Sequence, residues 1–110
     1  MIIAATAIGI AVIGLGVALI TIFLVPGTPS TSARWSFSTG NYVYSGPAVA
    51  GGTVYVGSDD HKVYALDANI GRLRWSYTTG GPVDSDPAVS GGTVYVGSYD
   101  DKVYALDAGS

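Results

Sequence analysis

The sequence repeats itself with a period of forty residues. Aligning residues 34–70 with residues 74–110 needs no gap, and 26 of the 37 aligned positions are identical. Self-similarity at a fixed period of roughly 20–50 residues is the signature of repeat architectures. The chain must therefore contain two copies of one structural unit, and we divide it into a first repeat over residues 34–73 and a second over residues 74–110.

Each repeat is predicted to form four short antiparallel strands. Val, Tyr and Thr alternate in short runs between glycine-rich turns, which is typical of strands. The pair Gly51-Gly52 is expected to supply the positive φ angles of a hairpin turn. In the strand that follows, Val54 and Val56 are expected on one face and Tyr55 on the other. The predicted strands are 34–38, 46–50, 53–57 and 62–66, with 74–78, 86–90, 93–97 and 102–106 as their equivalents.

Four antiparallel strands in about 40 residues match one blade of a β-propeller, and neighbouring blades stack face to face. The predicted fold after the N-terminal segment is therefore all-β, with two four-stranded antiparallel blades. Two blades alone cannot bury both of their outer faces, so something else must cover them.

The stretch Ala65–Trp75, which reads ALDANIGRLRW, resembles the tryptophan-docking motif of pyrroloquinoline-quinone-type propellers. That motif has the pattern Ala-x-Asp-x-x-Thr-Gly-x-x-x-Trp, and the match departs from it at Ile70, where the family usually has Thr. The segments Pro-Ala-Val and Thr-Val-Tyr-Val-Gly-Ser are also typical of these blades. The resemblance implies that Trp75 docks on the preceding blade and that Asp67 helps to fix the turn. The docking residues implied are Trp35, Ala65, Asp67, Gly71, Trp75, Ala105 and Asp107.

The same resemblance implies export, because relatives with this repeat are mostly periplasmic or cell-surface proteins. It does not imply the cofactor. Quinoprotein dehydrogenases of this fold hold the quinone with axial residues that include an adjacent Cys-Cys pair and calcium ligands, and this sequence has no cysteine. We therefore predict neither bound pyrroloquinoline quinone nor bound calcium. Many members of the family are non-enzymatic scaffolds.

Residues 1–25 contain no charged side chain, and we predict that they form a single transmembrane helix. At 1.5 Å per residue, the apolar residues 2–25 of such a helix span roughly 36 Å, enough to cross a bilayer core of about 30 Å. Residues 26–33 form the predicted linker, and the resemblance places the repeats on the extracytoplasmic side. A cleaved signal peptide is the alternative, but the start lacks Lys and Arg and the apolar stretch is too long. One face of this helix carries the small residues Ala7, Ala11, Gly14 and Ala18. They would allow another helix to pack closely; the alternative is that such residues are simply common in membrane helices.

No catalytic constellation is found in the sequence. His61 is the only histidine and occupies a predicted hairpin tip. The acidic pairs at the hairpin tips lack the spacing of a calcium loop, and turn aspartates commonly bind their own backbone. The five basic residues are scattered, whereas a nucleic-acid surface needs a basic stripe. We predict no enzymatic activity and no nucleic-acid partner.

Three functional hypotheses follow. The first is a membrane-tethered scaffold or accessory subunit acting through protein contacts. Tyr42, Tyr44 and Tyr99 are its candidate binding surface, with packing between blades as the alternative for these three residues. The second is self-assembly, in which Trp35 of one copy docks on the end of another and three or four copies close a ring. The third is a truncated fragment of a longer, quinoprotein-like propeller.

Overall fold

The computed structural model describes residues 8–13, 21–27 and 30–109. The chain divides into two compact units, Met1–Ala33 and Arg34–Ser110. Within the first unit, β1 (Ile8–Ile13) and β2 (Thr21–Pro26) pair as antiparallel strands, with Ile8 opposite Pro26 and Ile13 opposite Thr21.

This hairpin stands where we predicted a transmembrane helix over residues 1–25, and the prediction of a helix is corrected accordingly. An apolar run does not by itself distinguish a helix from strands. The described part of the run is rich in Ile, Val and Thr, whose branched side chains favour strands. Across the residues that the structure describes, no helix is long and apolar enough to cross a membrane. Of the predicted helix-packing face, Ala11 lies in β1, whereas Ala7, Gly14 and Ala18 lie outside the described residues.

The second unit contains two antiparallel sheets. The first sheet has the order β3-β4-β5-β6, formed by Ala48–Ala50, Thr53–Gly57, Lys62–Asp67 and Leu73–Thr78. The second has the order β7-β8-β9, formed by Ala88–Ser90, Thr93–Gly97 and Val103–Asp107. The all-β, antiparallel prediction is confirmed, but the second sheet has three strands in the described part of the chain instead of four.

The fourth strand of the first sheet comes from the second repeat. Strand β6 pairs with β5, with Lys62 opposite Thr78 and Ala65 opposite Trp75. The first sheet therefore consists of the last three predicted strands of the first repeat and the first predicted strand of the second repeat. Residues 34–38, which we predicted as the equivalent strand, lie outside the strands of the described structure. The physical reason is that residues 74–78 have β5 beside them, whereas residues 1–33 contain no copy of the β5 segment Lys62–Asp67.

The turns and the alternation of faces follow the sequence. The pair Gly51-Gly52 has φ angles of 57° and 74°, which confirms the predicted hairpin turn. In the first sheet Tyr55 is buried, whereas in the second sheet Val94 and Val96 are buried and Tyr95 is 44% exposed. The tyrosine face of the first sheet thus packs against the valine face of the second, and Val63 and Val83 complete this core.

Candidate functional site

Each tryptophan of the docking motif donates a hydrogen bond to a turn 33 residues further along the chain. Trp35 Nε1 lies 3.0 Å from the carbonyl oxygen of Ala68, and Trp75 Nε1 lies 3.1 Å from that of Ala108. The indole of Trp75 also lies 5.9 Å from the ring of Tyr55, between centroids. Because Trp75 belongs to β6 of the first sheet and Ala108 follows β9 of the second, this side chain connects the two sheets.

Trp75 contacts both repeats. The resemblance implied docking on the preceding blade, and Trp75 does lie opposite Ala65 and beside Tyr55 of the preceding repeat. Its indole N–H, however, donates forward to the turn after β9. Trp35 likewise binds the turn after β5 in its own chain. The self-assembly hypothesis assigned the Trp35 indole to another copy, and in the single chain the indole N–H has an acceptor of its own.

Asp67 organises the turn that receives Trp35. Its Oδ1 accepts hydrogen bonds from the backbone amides of Asn69 (2.8 Å) and Ile70 (3.2 Å), and its Oδ2 forms an ion pair with Arg74 at 2.8 Å. The Arg74 guanidinium, followed by these two amides, lowers the pKa of Asp67. The carboxylate therefore remains charged at neutral pH and holds the turn.

Gly71 ends this turn in contact with Trp35. Its φ is +73°, and a Cβ added there would lie 2.5 Å from Cδ2 of the indole. Both the backbone conformation and the close approach of the ring require glycine at this position. Of the other predicted docking residues, Ala65 is fully buried in β5, whereas Ala105 and Asp107 lie on the exposed strand β9. The structure thus brings together Trp35 with Gly71 and Ala65 with Trp75.

Sequence reasoning missed a second structural device, which we call the aspartate clasp. Asp60 Oδ2 accepts a hydrogen bond from the amide of Gly40 at 2.9 Å and another from the hydroxyl of Tyr64, and its Oδ1 accepts one from the amide of Lys62 at 3.0 Å. Asp100 repeats this arrangement with Gly80, Tyr104 and Lys102. Each clasp ties the loop before a sheet to the tip of its central hairpin. The signal was available in the repeat, because Asp60 and Asp100 are identical while both neighbouring positions differ.

The clasp shifts the pKa of both partners. Burial alone would raise the pKa of Asp60, but the hydrogen bonds from Tyr64 and the two amides outweigh it and lower the pKa. Burial, with the Asp60 hydrogen bond, raises the pKa of Tyr64 to about 12. The phenol therefore stays protonated and donates to an ionised carboxylate over the physiological range.

We expect Asp60→Asn to lower the free energy of unfolding by roughly 1 kcal/mol at pH 7, because an amide cannot accept all three hydrogen bonds as a carboxylate does. A carboxylate with a lowered pKa stabilises the fold above its unfolded pKa near 4, and this stabilisation is lost as the pH falls through the folded value. The gap between wild type and variant should therefore close in acid. Urea denaturation at pH 7 and pH 3 measures it. Asp101→Asn, at an exposed hairpin tip, is the control and should change little; an equal loss in both variants would refute the clasp.

The three tyrosines of the candidate binding surface lie in two separate parts of the second unit. Tyr42 and Tyr44 are 68% and 65% exposed, and their ring centroids lie 5.7 Å apart. Tyr99 is 71% exposed at the tip between β8 and β9. A hydrogen bond with Asp84 is the main cause that raises the pKa of Tyr99. The structure therefore pairs two of the three predicted tyrosines and shows the third beside an acidic group.

The acidic residues near that tip form a pair. Hydrogen bonding with Asp84, then burial, raises the pKa of Asp59. One oxygen of each carboxyl, Oδ1, is buried without a hydrogen-bond partner in the described structure. His61 is exposed with φ at 74°, a conformation suited to a hairpin tip. Within the described ranges, no three His, Asp or Glu side chains come together as a metal site would require.

Comparison with known proteins identifies the repeat. The PQQ_2 family model, described as outer membrane protein assembly factor BamB, matches residues 28–110. Among solved structures, the chain is similar to BamB from Moraxella catarrhalis at 24% sequence identity with a TM-score of 0.66. That match covers 76% of this chain but 26% of the BamB chain, and it shows that the fold is that of propeller blades. No curated protein matches the sequence.

Proposed function

Because this chain belongs to the PQQ_2 family of repeats described as outer membrane protein assembly factor BamB, we propose that it is a non-enzymatic scaffold that acts through contacts with other proteins. The observation that carries the proposal is the exposed pair Tyr42 and Tyr44 on a loop whose backbone is fixed. The name of the family suggests the class of partner, namely proteins that take part in outer membrane protein assembly.

The loop that bears the tyrosine pair is held by the tip of the first sheet. The carbonyl oxygen of Tyr42 accepts a hydrogen bond from the amide of Asp59 at 2.9 Å and another from the hydroxyl of Ser58 at 3.2 Å. A fixed backbone with exposed aromatic rings loses little conformational freedom on binding. Tyrosine supplies apolar area together with a hydroxyl, and it is enriched in protein interfaces. This surface is therefore suited to a protein partner.

We expect a photoreactive phenylalanine analogue at position 44 to cross-link the chain to a different envelope protein. The adduct should have a mass that is not a multiple of the chain's own, which separates a foreign partner from another copy. The same analogue at the exposed Arg72 is the control. Tyr42→Ala should weaken the adduct without changing the far-UV circular dichroism spectrum. Equal cross-linking from positions 44 and 72, or adducts with this chain alone, would refute the proposal.

We propose that the repeats lie outside the cytoplasm and near the cell membrane. The uncharged segment Met1–Val25 and the name of the family support this location. The chain has no native cysteine, so Asp101→Cys introduces a single thiol at an exposed tip. A membrane-impermeant maleimide added to intact cells should label it if the repeats are exported, and should label it only after lysis if they are not.

A second candidate is that these residues form part of a longer propeller. It is supported by the coverage of the match, which spans 26% of the BamB chain. In that case the coding sequence next to these residues should encode further copies of the forty-residue repeat in the same reading frame. Sequencing the transcript across both ends tests this directly.

A further inference from the structure

The loop that precedes β7 is hydrogen-bonded to the tips of both sheets. The amide of Val83 donates to the carbonyl oxygen of Ser58, at the tip between β4 and β5, over 3.0 Å. The carbonyl oxygen of Pro82 accepts a hydrogen bond from the amide of Tyr99, at the tip between β8 and β9, also at 3.0 Å. Val83 is fully buried. Because the backbone is fixed on both sides, the position of the next residue, Asp84, is fixed as well.

Asp84 meets a second carboxyl group, that of Asp59 at the tip of the first sheet. The two side chains lie within hydrogen-bonding distance of each other. One oxygen of each, Oδ1, is buried without a hydrogen-bond partner in the described structure. Two ionised carboxylates can only accept hydrogen bonds, so they would leave these oxygens unsatisfied and would repel each other. A single proton between them would make one group the donor and the other the acceptor.

Comparison of the repeats shows that this pair is peculiar to the junction between the two sheets. Asp59 corresponds to Tyr99 of the second repeat, and Asp84 corresponds to Tyr44 of the first. The backbone does not need the acids, because the tip amide donates to a carbonyl oxygen of the loop at residue 59 and at residue 99 alike. The two carboxyl groups are therefore not required to build a tip or a loop of this kind.

We infer that Asp59 and Asp84 share one proton, and that this proton sets how firmly the loop before β7 is held to the first sheet. While the proton is bound, the pair forms a hydrogen bond across the junction. When the proton leaves to water, two like charges face each other and the junction loosens. The inference depends only on the junction between the two described sheets and does not rest on the proposed function.

The groups around the pair decide the direction of its pH dependence. Hydrogen bonding with Asp84 is the main cause that raises the pKa of Asp59, and attraction to His61 on the same tip opposes it. Tyr99 faces Asp84 from the second tip, and Asp60 is bound in the aspartate clasp. A pKa raised above 3.8 means that the proton stabilises the fold below that value, and that this stabilisation is lost as the pH rises through the folded pKa.

Asp59→Asn tests the shared proton, because its amide N–H donates to Asp84 at every pH. We expect a higher urea midpoint than that of the wild type at pH 7, and a gain that shrinks at pH 3. Asp84→Asn should act in the same direction, since its amide donates to Asp59. Asp60→Asn, one residue further along, is the control of opposite sign, with a loss at pH 7. EDTA is present throughout, so that no bound cation contributes. A lower midpoint for Asp59→Asn at pH 7, or a gain independent of pH, would refute the inference.

Hydrogen exchange followed by NMR reads the junction itself. The amide of Val83 should exchange several-fold faster in the wild type than in Asp59→Asn at pH 7, and the ratio should fall as the pH is lowered. Comparison of the two proteins at one pH cancels the intrinsic pH dependence of exchange. The amide of Ala68, bound to the carbonyl oxygen of Gly52 at the opposite end of the first sheet, is the internal control and should not change. A change at both amides, or at neither, would overturn the inference.

Discussion

Replacing Gly71 with alanine should lower the free energy of unfolding by roughly 3 kcal/mol, a large fraction of the stability of a small domain. Two costs add at this position. The φ of +73° disfavours any residue with a Cβ, and that Cβ would lie 2.5 Å from the indole of Trp35. The ring must therefore shift, or the turn held by Asp67 must open. Urea denaturation followed by far-UV circular dichroism measures the loss.

Gly52→Ala is the matched control for this prediction. Gly52 has nearly the same φ, +74°, but a Cβ there would meet no atom within 4 Å. It should therefore show only the backbone cost, on the order of 1 kcal/mol. The difference between the two variants measures the contact with Trp35. Adding Gly71→Ala to Trp35→Ala should cost less than Gly71→Ala costs alone, because the clash has been removed. If Gly71→Ala were no worse than Gly52→Ala, the indole would not be packed on this turn.

Much of the fold could be predicted from the repeat because its local signals agree with one another. The pair Gly51-Gly52 fixes a hairpin, and the alternation of Val and Tyr separates the two faces of β4 and β8. It does not say which face is buried, because β4 buries its tyrosine face and β8, with the same sequence, buries its valine face. What the repeat could not give is the boundary of a sheet. A perfectly periodic sequence looks the same wherever the period is started, so it does not say whether residues 74–78 pair backward with β5 or forward with the strands of their own repeat. That choice depends on contacts between repeats.

The N-terminal segment shows a different limit. Residues 1–25 are so uniformly apolar that neither the helical period nor the strand period can be read from them. The prediction of a helix rested on length and on the lack of charge. The paired strands Ile8–Ile13 and Thr21–Pro26 instead follow from branched side chains, which length and charge do not report.

For the candidate site, sequence identified the residues but not their partners. The motif pointed to Trp35, Asp67, Gly71 and Trp75, and the structure places all four at or beside the docking turns. The direction of docking could not be deduced, because an indole N–H can reach a carbonyl on either neighbouring blade. The aspartate clasp was missed because Asp60 was treated as one of several turn acids. Comparing the two repeats position by position would have separated it from Asp59 and His61.

Trp75→Ala should have the largest effect of any single substitution in the second unit, about 3–5 kcal/mol. Trp75 of β6 lies opposite Ala65 of β5, packs against Tyr55, and donates from its indole to Ala108 of the other sheet. Removing it therefore takes away packing within one sheet and the hydrogen bond that joins the two. Trp75→Phe keeps most of the ring and loses the indole N–H, so it should cost only about 1 kcal/mol.

Trp35→Ala shows whether the loss of any docked tryptophan has the same effect as the loss of Trp75, which joins the two sheets. Trp35 donates to a turn of the first sheet and lies outside the strands, so its loss should open the turn at residues 67–72 and leave the contact between the sheets intact. Hydrogen exchange resolved by mass spectrometry distinguishes the two variants. In Trp75→Ala, amides of β8 and β9 should exchange faster because the second sheet loses its hold on the first. In Trp35→Ala, faster exchange should be confined to the turn after β5. The same exchange pattern in both variants would mean that Trp75 does not connect the two sheets.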